Sequence, residues 1–406
     1  MGEAMQIDLL STSSFDGGQP HDQFRWLREN EPVYRHEEPD GPGFWALTRH
    51  GDVRSVSRDW GGFSNEPTAM LQDPPPEASA VFGDAKMMLY ADPPHHTELR
   101  RLVSREFTPR AARKLGERIR FLATEIVDAV IERGECDLVS DIAGELPSYV
   151  IAELLGLPRD DGRKLYGLTE TLHSAPDSLA PGEQAAAIAQ MFQYSFGVLQ
   201  EKRASPGDDL ASRLIASEIE GRRLSDMEFH LFFVLLVDAG GDTTRNLVAG
   251  GMNALLDRPE LLARLRAEPE LLPTAREELL RWTSPVVHMR RTATHDVEIR
   301  ERKIAAGEKV VLFYGAANRD PGVFERADEL VLDRRPNDHV AFGAPGTHFC
   351  LGAQIARVEI DAVLAEIFSR VHDIERAGDT EWLASSFISG PRRMPVRFRP
   401  GGRASR

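Results

Sequence analysis

The chain has 406 residues, 41% of them hydrophobic and 28% charged, with a formal net charge of −15. That balance fits a large packed core and excludes a disordered or fibrous polymer. The strong negative field repels nucleic acid and anionic membranes, so neither is an expected partner. No apolar stretch approaches the roughly 18 residues that span a bilayer, and the start lacks a basic segment followed by an apolar one. A protein without a membrane anchor, residing in the cytoplasm, is therefore expected. The length permits more than one domain, and composition alone leaves that open.

Early in the chain, Pro32–His36 and Phe44–Thr48 are short β-like runs joined by Glu38-Pro39-Asp40-Gly41-Pro42, whose turn residues predict a hairpin. The Pro-rich piece Asp73–Glu77 is too short for a domain linker and reads as a surface loop. Between Arg100 and Lys114 stand six basic residues, Arg100, Arg101, Arg105, Arg110, Arg113 and Lys114, against one acid, Glu106. Such a run is either a solvated face or a docking patch for an acidic partner. At Thr108 a cap precedes Pro109, and Leu115, Ile119, Leu122, Ile126 and Val130 recur every three or four residues until Gly134, which predicts an amphipathic helix. Further helical patterns fill Ile151–Leu155, Gly182–Arg203, Asp226–Leu256 and Pro273–Trp282. After Pro285 come short strands such as Lys309–Phe313, then a helix from about Ala353 to Val371. A hairpin is expected over Ser385–Arg399, around Ser389-Gly390-Pro391. The predicted fold is mainly α with small peripheral β-sheets. It forms one domain over residues 1–406, with a β-rich edge at about 30–50, an α-rich core at about 90–285 and 340–372, and a hairpin at about 385–399.

Two cysteines, Cys136 and Cys350, leave no disulfide framework and no cysteine-based structural zinc site. Cys350 precedes a predicted helix, whose free N–H groups and dipole favour a thiolate. It lies in Phe342-Gly343-Ala344-Pro345-Gly346-Thr347-His348-Phe349-Cys350-Leu351-Gly352. Glycines at 343, 346 and 352 allow close approach of a flat, rigid object such as a porphyrin. Taken alone, Cys350 can equally be a buried small hydrophobe. In the Asp226–Leu256 pattern, which opens on a Ser225/Glu228 capping box, Leu231–Val237 reads as an ordinary buried helix that Ala239-Gly240-Gly241-Asp242-Thr243-Thr244 is expected to interrupt. Each glycine costs about 1 kcal/mol relative to alanine. A buried acid needs partners, and local rules broken in a core often mark function. A glycine-rich packing contact is the plainer reading. Glu278 and Arg281 share a helix face at i, i+3, as does many a surface ion pair.

Taken together and in order, these segments resemble the signatures of a bacterial cytochrome P450. The cysteine loop is similar to Phe-Gly-x-Gly-x-His-x-Cys-x-Gly, with one extra residue between Gly343 and Gly346. Glu278 and Arg281 resemble the Glu-x-x-Arg pair, and Ala239 to Thr243 the Ala-Gly-x-Asp-Thr motif. Asp92-Pro93-Pro94-His95-His96-Thr97-Glu98-Leu99-Arg100 resembles Asp-Pro-Pro-x-His-x-x-x-Arg. The resemblance covers residues 24–399 and implies the P450 fold with haem b (heme, iron protoporphyrin IX). It makes Cys350 the iron ligand, with Phe342 and Gly352 shaping the loop. His96, Arg100, Arg291 and His348 would hold the propionates. Thr243 would hydrogen-bond the activated oxygen, and Asp242 would relay protons. It implies O2 and a hydrophobic small molecule as substrates. Electrons would come from NAD(P)H through a ferredoxin reductase and a ferredoxin, the ferredoxin docking on the basic patch.

Family topology assigns the substrate pocket to Met70–Leu89, Leu172–Phe196, Val234–Gly240, Pro285–Met289 and the tip Phe387-Ile388. Leu89, Val237, Ala239, Gly240, Val287, Phe387 and Ile388 are the candidate lining residues. Arg281-Trp282-Thr283-Ser284-Pro285-Val286 and the segment from Ser386 to Arg397 look similar to the steroid- and branched-lipid-hydroxylating actinobacterial branch. A peroxide-using haem-thiolate enzyme, a non-catalytic haem protein and a haem-free binder of hydrophobic ligands are the alternatives.

Overall fold

The computed structural model describes residues 5–39, 41–73, 83–174, 179–219 and 221–404. Asp40 of the predicted turn, residues 74–77 of the Pro-rich piece, and residues 74–82 and 175–178 of two predicted pocket segments lie outside the described residues.

The N-terminal edge comprises helix α1 (His21–Asn30), strands β1 (Val33–His36) and β2 (Phe44–Leu47), helix α2 (His50–Arg58) and strand β3 (Phe63–Ser64). The expected hairpin is present, with Val33 opposite Leu47 and His36 opposite Phe44. Helices α3 (His95–Ser104), α4 (Pro109–Ile131), α5 (Glu145–Leu155), α6 (Arg159–His173), α7 (Glu183–Ala204) and α8 (Leu210–Ala216) follow, with strand β4 (Glu135–Asp137) after α4 and the short pair β5 (Glu218–Ile219) and β6 (Arg222–Arg223) after α8. Next come α9 (Asp226–Leu256), α10 (Pro259–Ala267) and α11 (Leu272–Thr283). Strands β7 (His288–Ala293), β8 (Val297–Ile299), β9 (Arg302–Ile304) and β10 (Lys309–Phe313) lead into the one-turn α12 (Tyr314–Ala317). Helix α13 (Ala353–Arg370) precedes β11 (Glu375–Arg376), β12 (Glu381–Trp382), β13 (Pro391–Arg393) and β14 (Pro395–Arg397).

Local chemistry sets these boundaries. Thr108 caps α4 by accepting from the Ala111 N–H at 3.2 Å, and Pro109 occupies the first helical position. Ile119, Leu122, Ile126 and Val130 are buried on one face, against which α13 packs. At the start of α9 the capping box is complete: the Glu228 N–H donates to Ser225 Oγ at 3.2 Å, and the Ser225 N–H donates back to Glu228 Oε2 at 2.7 Å. Along its 31 residues α9 is buried on nearly every side, Phe232, Phe233, Leu236, Val248 and Met252 included. Each such side chain contributes roughly 1.5–3 kcal/mol on burial, which makes α9 the spine of the core.

The main sheet runs β1-β2-β10-β7-β3, with β10 parallel to β2 and antiparallel to β7. Two expectations are corrected. Residues 239–244 remain helical, so the glycines do not interrupt α9. A Cβ on Gly241 would lie 3.3 Å from the Tyr166 ring of α6, so this glycine lets two helices approach. Ser385–Arg399 is not a hairpin: β13 pairs back with β12, while β14 joins β11 and β4 in another sheet. Met394 alone separates β13 from β14, and one residue cannot reverse a strand, so the chain passes from one sheet to the next.

Candidate active site

The loop before α13 holds Cys350 by backbone bonds. The Cys350 N–H donates to the Phe342 carbonyl at 2.9 Å, and the Phe349 N–H donates to Gly346 at 3.2 Å. Gly343 has φ +77, the left-handed region open to glycine, and a Cβ on Gly346 would fall 2.4 Å from the Ser57 carbonyl. Gly346 therefore allows close packing of the loop on α2. The extra residue leaves Phe342 in place, its ring lining the cavity and lying 4.6 Å beneath the Arg357 guanidinium. Cys350 opens onto the same cavity. Burial pushes its thiol up, outweighing the N–H groups of Gly352 and Ala353 and the nearby Arg100 and Arg357, which favour the thiolate. The helix N-terminus thus supplies part of the stabilisation, and a metal cation bound to the sulfur would complete it. Cys136, packed in the core, is pushed up to about 12 by burial and is a spectator.

His96 and Arg100 on α3, Arg291 on β7 and His348 in the loop line one cavity with Cys350. The His96 and His348 rings lie 4.2 Å apart, and His96 Nδ1 and His348 Nε2 are buried without a partner. Burial together with the neighbouring Arg100 lowers His96 to about 4. Burial, Arg291, His96 and Arg100 lower His348 to about 2. Orphaned donors in an unbalanced positive field are the environment that a pair of carboxylates requires. The donor set therefore fits a haem: one sulfur for iron and four nitrogen side chains for propionates. Arg100 also donates to the Phe349 carbonyl at 2.7 Å, tying α3 to the cysteine loop.

Helix α9 forms another wall with Leu235, Leu236, Ala239, Gly240, Thr243, Thr244 and Leu247. The Thr243 hydroxyl donates to the Ala239 carbonyl at 3.1 Å. Asp242 is not among the lining residues, because successive helical residues point about 100° apart. Its side chain is 0% exposed and turns into α6, with Oδ2 2.5 Å from His173 Nδ1 and Oδ1 3.4 Å from Arg245. Burial works to raise this carboxyl, but Arg245 and His173 outweigh it and hold the group low.

Of the expected pocket residues, Leu89, Ala239 and Gly240 line the cavity, whereas Val237, Val287, Phe387 and Ile388 do not. Val287 packs with Leu9, Phe24 and Phe313, and its neighbour Val286 faces the cavity, as extended backbone alternates its faces. Val237 is one step off the lining face of α9. Phe387 sits between the His173 and His288 rings, with centroids 5.7 and 5.8 Å away. Ile388 is buried and pairs with Val286 in a bridge.

Several residues were not anticipated. Tyr314 lines the cavity beside Met88 and Met289 of the expected pocket segments, and so does Glu359 of α13, which burial raises to about 8 despite a hydrogen bond with Thr244. The spacing of Ile355, Glu359 and Val363 carries that signal, an acid on an apolar helix face. Glu277 takes Arg357 at 2.8 Å and His339 at 3.1 Å, joining α11 to α13.

Glu278 and Arg281 are both 0% exposed. Arg281 gives two N–H groups to Glu278 at 2.7 and 2.8 Å, and its other three to the carbonyls of Asn318, Ala327 and Glu329 at 2.8 Å. Glu278 also accepts from Arg334 at 2.9 Å, Asn337 at 3.1 Å and the Val331 N–H at 2.8 Å. The pair is a buried brace on the chain leading to the cysteine loop.

The family description "Cytochrome P450" matches residues 181–372. A methyl-branched lipid omega-hydroxylase of Mycobacterium tuberculosis is 38% identical over 388 residues, 92% of this chain and 90% of that protein. A steroid C26-monooxygenase of Mycolicibacterium smegmatis is 38% identical over 401 residues, 97% of this chain and 96% of that one. The solved structure of a Mycobacterium marinum cytochrome P450 in complex with pseudoionone superposes with a TM-score of 0.90 at 36% identity, covering 98% of this chain and all 100% of that chain. A Bacillus megaterium structure in complex with testosterone gives 0.85 at 31% identity, covering 96% and 100%. Likeness of this extent means that the chain belongs to the cytochrome P450 family of haem-dependent monooxygenases.

Proposed function

We propose that the protein inserts one oxygen atom of O2 into a steroid, terpenoid or methyl-branched lipid, with electrons from NAD(P)H passed through a ferredoxin reductase and a ferredoxin. The observation that carries this reading is the shared cavity: Cys350 and Thr243 open onto one space whose other walls are mainly apolar, including Leu89, Leu235, Leu236, Val286 and Met289. Apolar walls with few polar groups suit a hydrophobic substrate. The substrates named for the mycobacterial relatives support the class.

Cys350 holds the iron of haem b, and His96, Arg100, Arg291 and His348 donate to the propionates. The haem supplies the activation of O2. Thr243 offers its hydroxyl into the cavity at the i−4 bond to Ala239, and Asp242 behind it, ionised at rest, takes up a proton only to pass it on. The apolar wall orients the substrate and excludes water. Arg101, Arg105, Arg110, Arg113 and Lys114 are all exposed on α3, α4 and the turn between them. That field suits an acidic ferredoxin.

The absorption spectrum of the purified protein, reduced and exposed to carbon monoxide, is the test. A red-shifted Soret band lost in Cys350→Ala is expected; no haem spectrum after haem-supplemented expression would refute the reading. Testosterone, pseudoionone and 15-methylhexadecanoic acid then form the substrate panel, and no spin-state shift with any of them would sink the substrate class. Thr243→Ala is expected to uncouple NADH use from product, separating O2-dependent turnover from a peroxide-using enzyme.

A further inference from the structure

Asp238 and Asp242 lie one turn apart on α9, and His173, the last residue of α6, reaches between them. Its Nδ1 is 2.5 Å from Asp242 Oδ2, and its Nε2 is 3.2 Å from Asp238 Oδ1. Exposure falls along the row: the side chain of Asp238 is 31% exposed, that of His173 10% and that of Asp242 0%. An imidazole whose two nitrogens face two carboxylates, one open to water and one sealed in the core, is arranged to pass a proton. We propose that His173 is the proton inlet to Asp242, carrying protons from the partly exposed Asp238, one turn earlier on α9, to the buried acid.

The inference rests on Asp242 serving as the proton-delivering acid. In the proposed step the N–H bond at Nδ1 breaks, and its proton forms an O–H bond at Asp242 Oδ2, leaving a neutral ring that keeps its Nε2–H. A half-turn of the ring about Cβ–Cγ brings the bare nitrogen to Asp238, which delivers a proton taken from solvent. Charge and protons balance, and no oxidant or reductant is involved.

The surroundings favour a charged resting ring. Burial disfavours the imidazolium, but Asp238 and Asp242 outweigh that and raise His173 to about 10. The other groups on the row are Arg245, 3.4 Å from Asp242 and 3.1 Å from Glu170, with Tyr166 beneath its guanidinium and Tyr90 near Asp238. Arg245 already neutralises Asp242 and cannot shuttle a proton. A static brace would not need the second carboxylate at Nε2.

The haem-loaded, ferrous carbon-monoxide form, labelled with 15N-histidine, decides the matter without turnover. His173 is expected to hold both ring protons at pH 8, and Asp238→Asn to slow their exchange with water at least tenfold. Unchanged exchange in Asp238→Asn, or a neutral His173 at that pH, would overturn the relay. With a panel ligand that turns over, His173→Gln is expected to lower product per NADH about tenfold and to enlarge the solvent isotope effect, at unchanged haem content and carbon-monoxide spectrum. Wild-type coupling in His173→Gln, with Asp242→Asn impaired, would remove the relay and leave the acid in place. Wild-type coupling in Asp242→Asn as well would remove the acid and the inference together.

Discussion

Replacing Glu278 with glutamine tests the buried brace with one atom changed. The carboxylate accepts five N–H groups, two at Oε1 and three at Oε2, and no donor of its own is needed. Whichever way the new amide is turned, its NH2 faces at least two donors, while Arg281 and Arg334 lose their shared counter-charge. Removing one partner of a buried ion pair costs about 3–5 kcal/mol, largely because the other charge stays buried without compensation. An unfolding entropy of about 2.1 cal/mol/K per residue turns that cost into a melting-temperature drop of roughly 4–6 °C for a chain of this length. The control is Glu375→Gln, which breaks a pair with Arg397 whose side chains are 59% and 65% exposed. An exposed pair is worth about 0–1 kcal/mol, so this variant should melt within about 1 °C of the parent. Circular dichroism melts of the haem-loaded proteins at one scan rate make the comparison. If both variants melt alike, the brace contributes no more than a surface contact and the reasoning fails.

Glu359→Gln should change the pH dependence of stability. The folded protein holds this carboxyl at about 8, against an ordinary value of 4.5. The unfolded chain therefore loses its proton first, so stability falls as pH rises from 4.5 to 8, by at most a few kcal/mol. Urea midpoints at pH 5 and pH 9 should differ less in the variant, and equal slopes would count against a buried neutral acid. If His348 donates to a propionate as proposed, His348→Leu removes a charge-assisted bond worth about 1.5–3 kcal/mol, and haem transfer to apomyoglobin should quicken roughly ten- to a hundredfold. An unchanged rate would take His348 out of the cradle. Val286→Phe should fill the cavity and abolish the spin shift of a bulky ligand. Val287→Phe should instead lower stability by about 1–3 kcal/mol through overpacking. If the two effects trade places, the facing of this segment is wrong.

The four signatures were legible because each is a short run whose chemistry is local. Cys350 before a helix, His96 and Arg100 at i, i+4, and Glu278 and Arg281 at i, i+3 need only helical periodicity to come together. The Thr108 cap with Pro109 marks the start of α4, and the Ser225/Glu228 capping box that of α9, on equally local grounds. Pocket residues failed where one step of phase decides the side: Val286 and Val287 are both apolar, and so are Leu236 and Val237. Only tertiary packing selects which member faces the cavity. The C-terminal strands failed for a related reason, since a strand's partner is not written in its own sequence.

The same limit separates Thr243 from Asp242. Adjacent in sequence, they look like one device, yet the helical rotation of about 100° puts the hydroxyl on the cavity wall and the carboxylate on the neighbouring flank, against α6. What the acid can do is then set by a residue 69 positions away. Nothing around His173 in sequence distinguishes it from any histidine that ends a helix. Its placement depends on Gly241, whose missing side chain lets α6 come down on α9 at Tyr166, about two helical turns before His173 on α6 and next to Asp242 on α9. A glycine that weakens a buried helix by about 1 kcal/mol thus brings a second helix close enough for a histidine to span two carboxylates. On this view the second glycine serves the approach of α6 rather than a break in α9. Gly241→Ala should displace α6 and weaken the His173 contact while leaving the cavity wall at Ala239 and Thr243 intact. A Gly241→Ala protein in which His173 still holds both ring protons at pH 8 would refute that link.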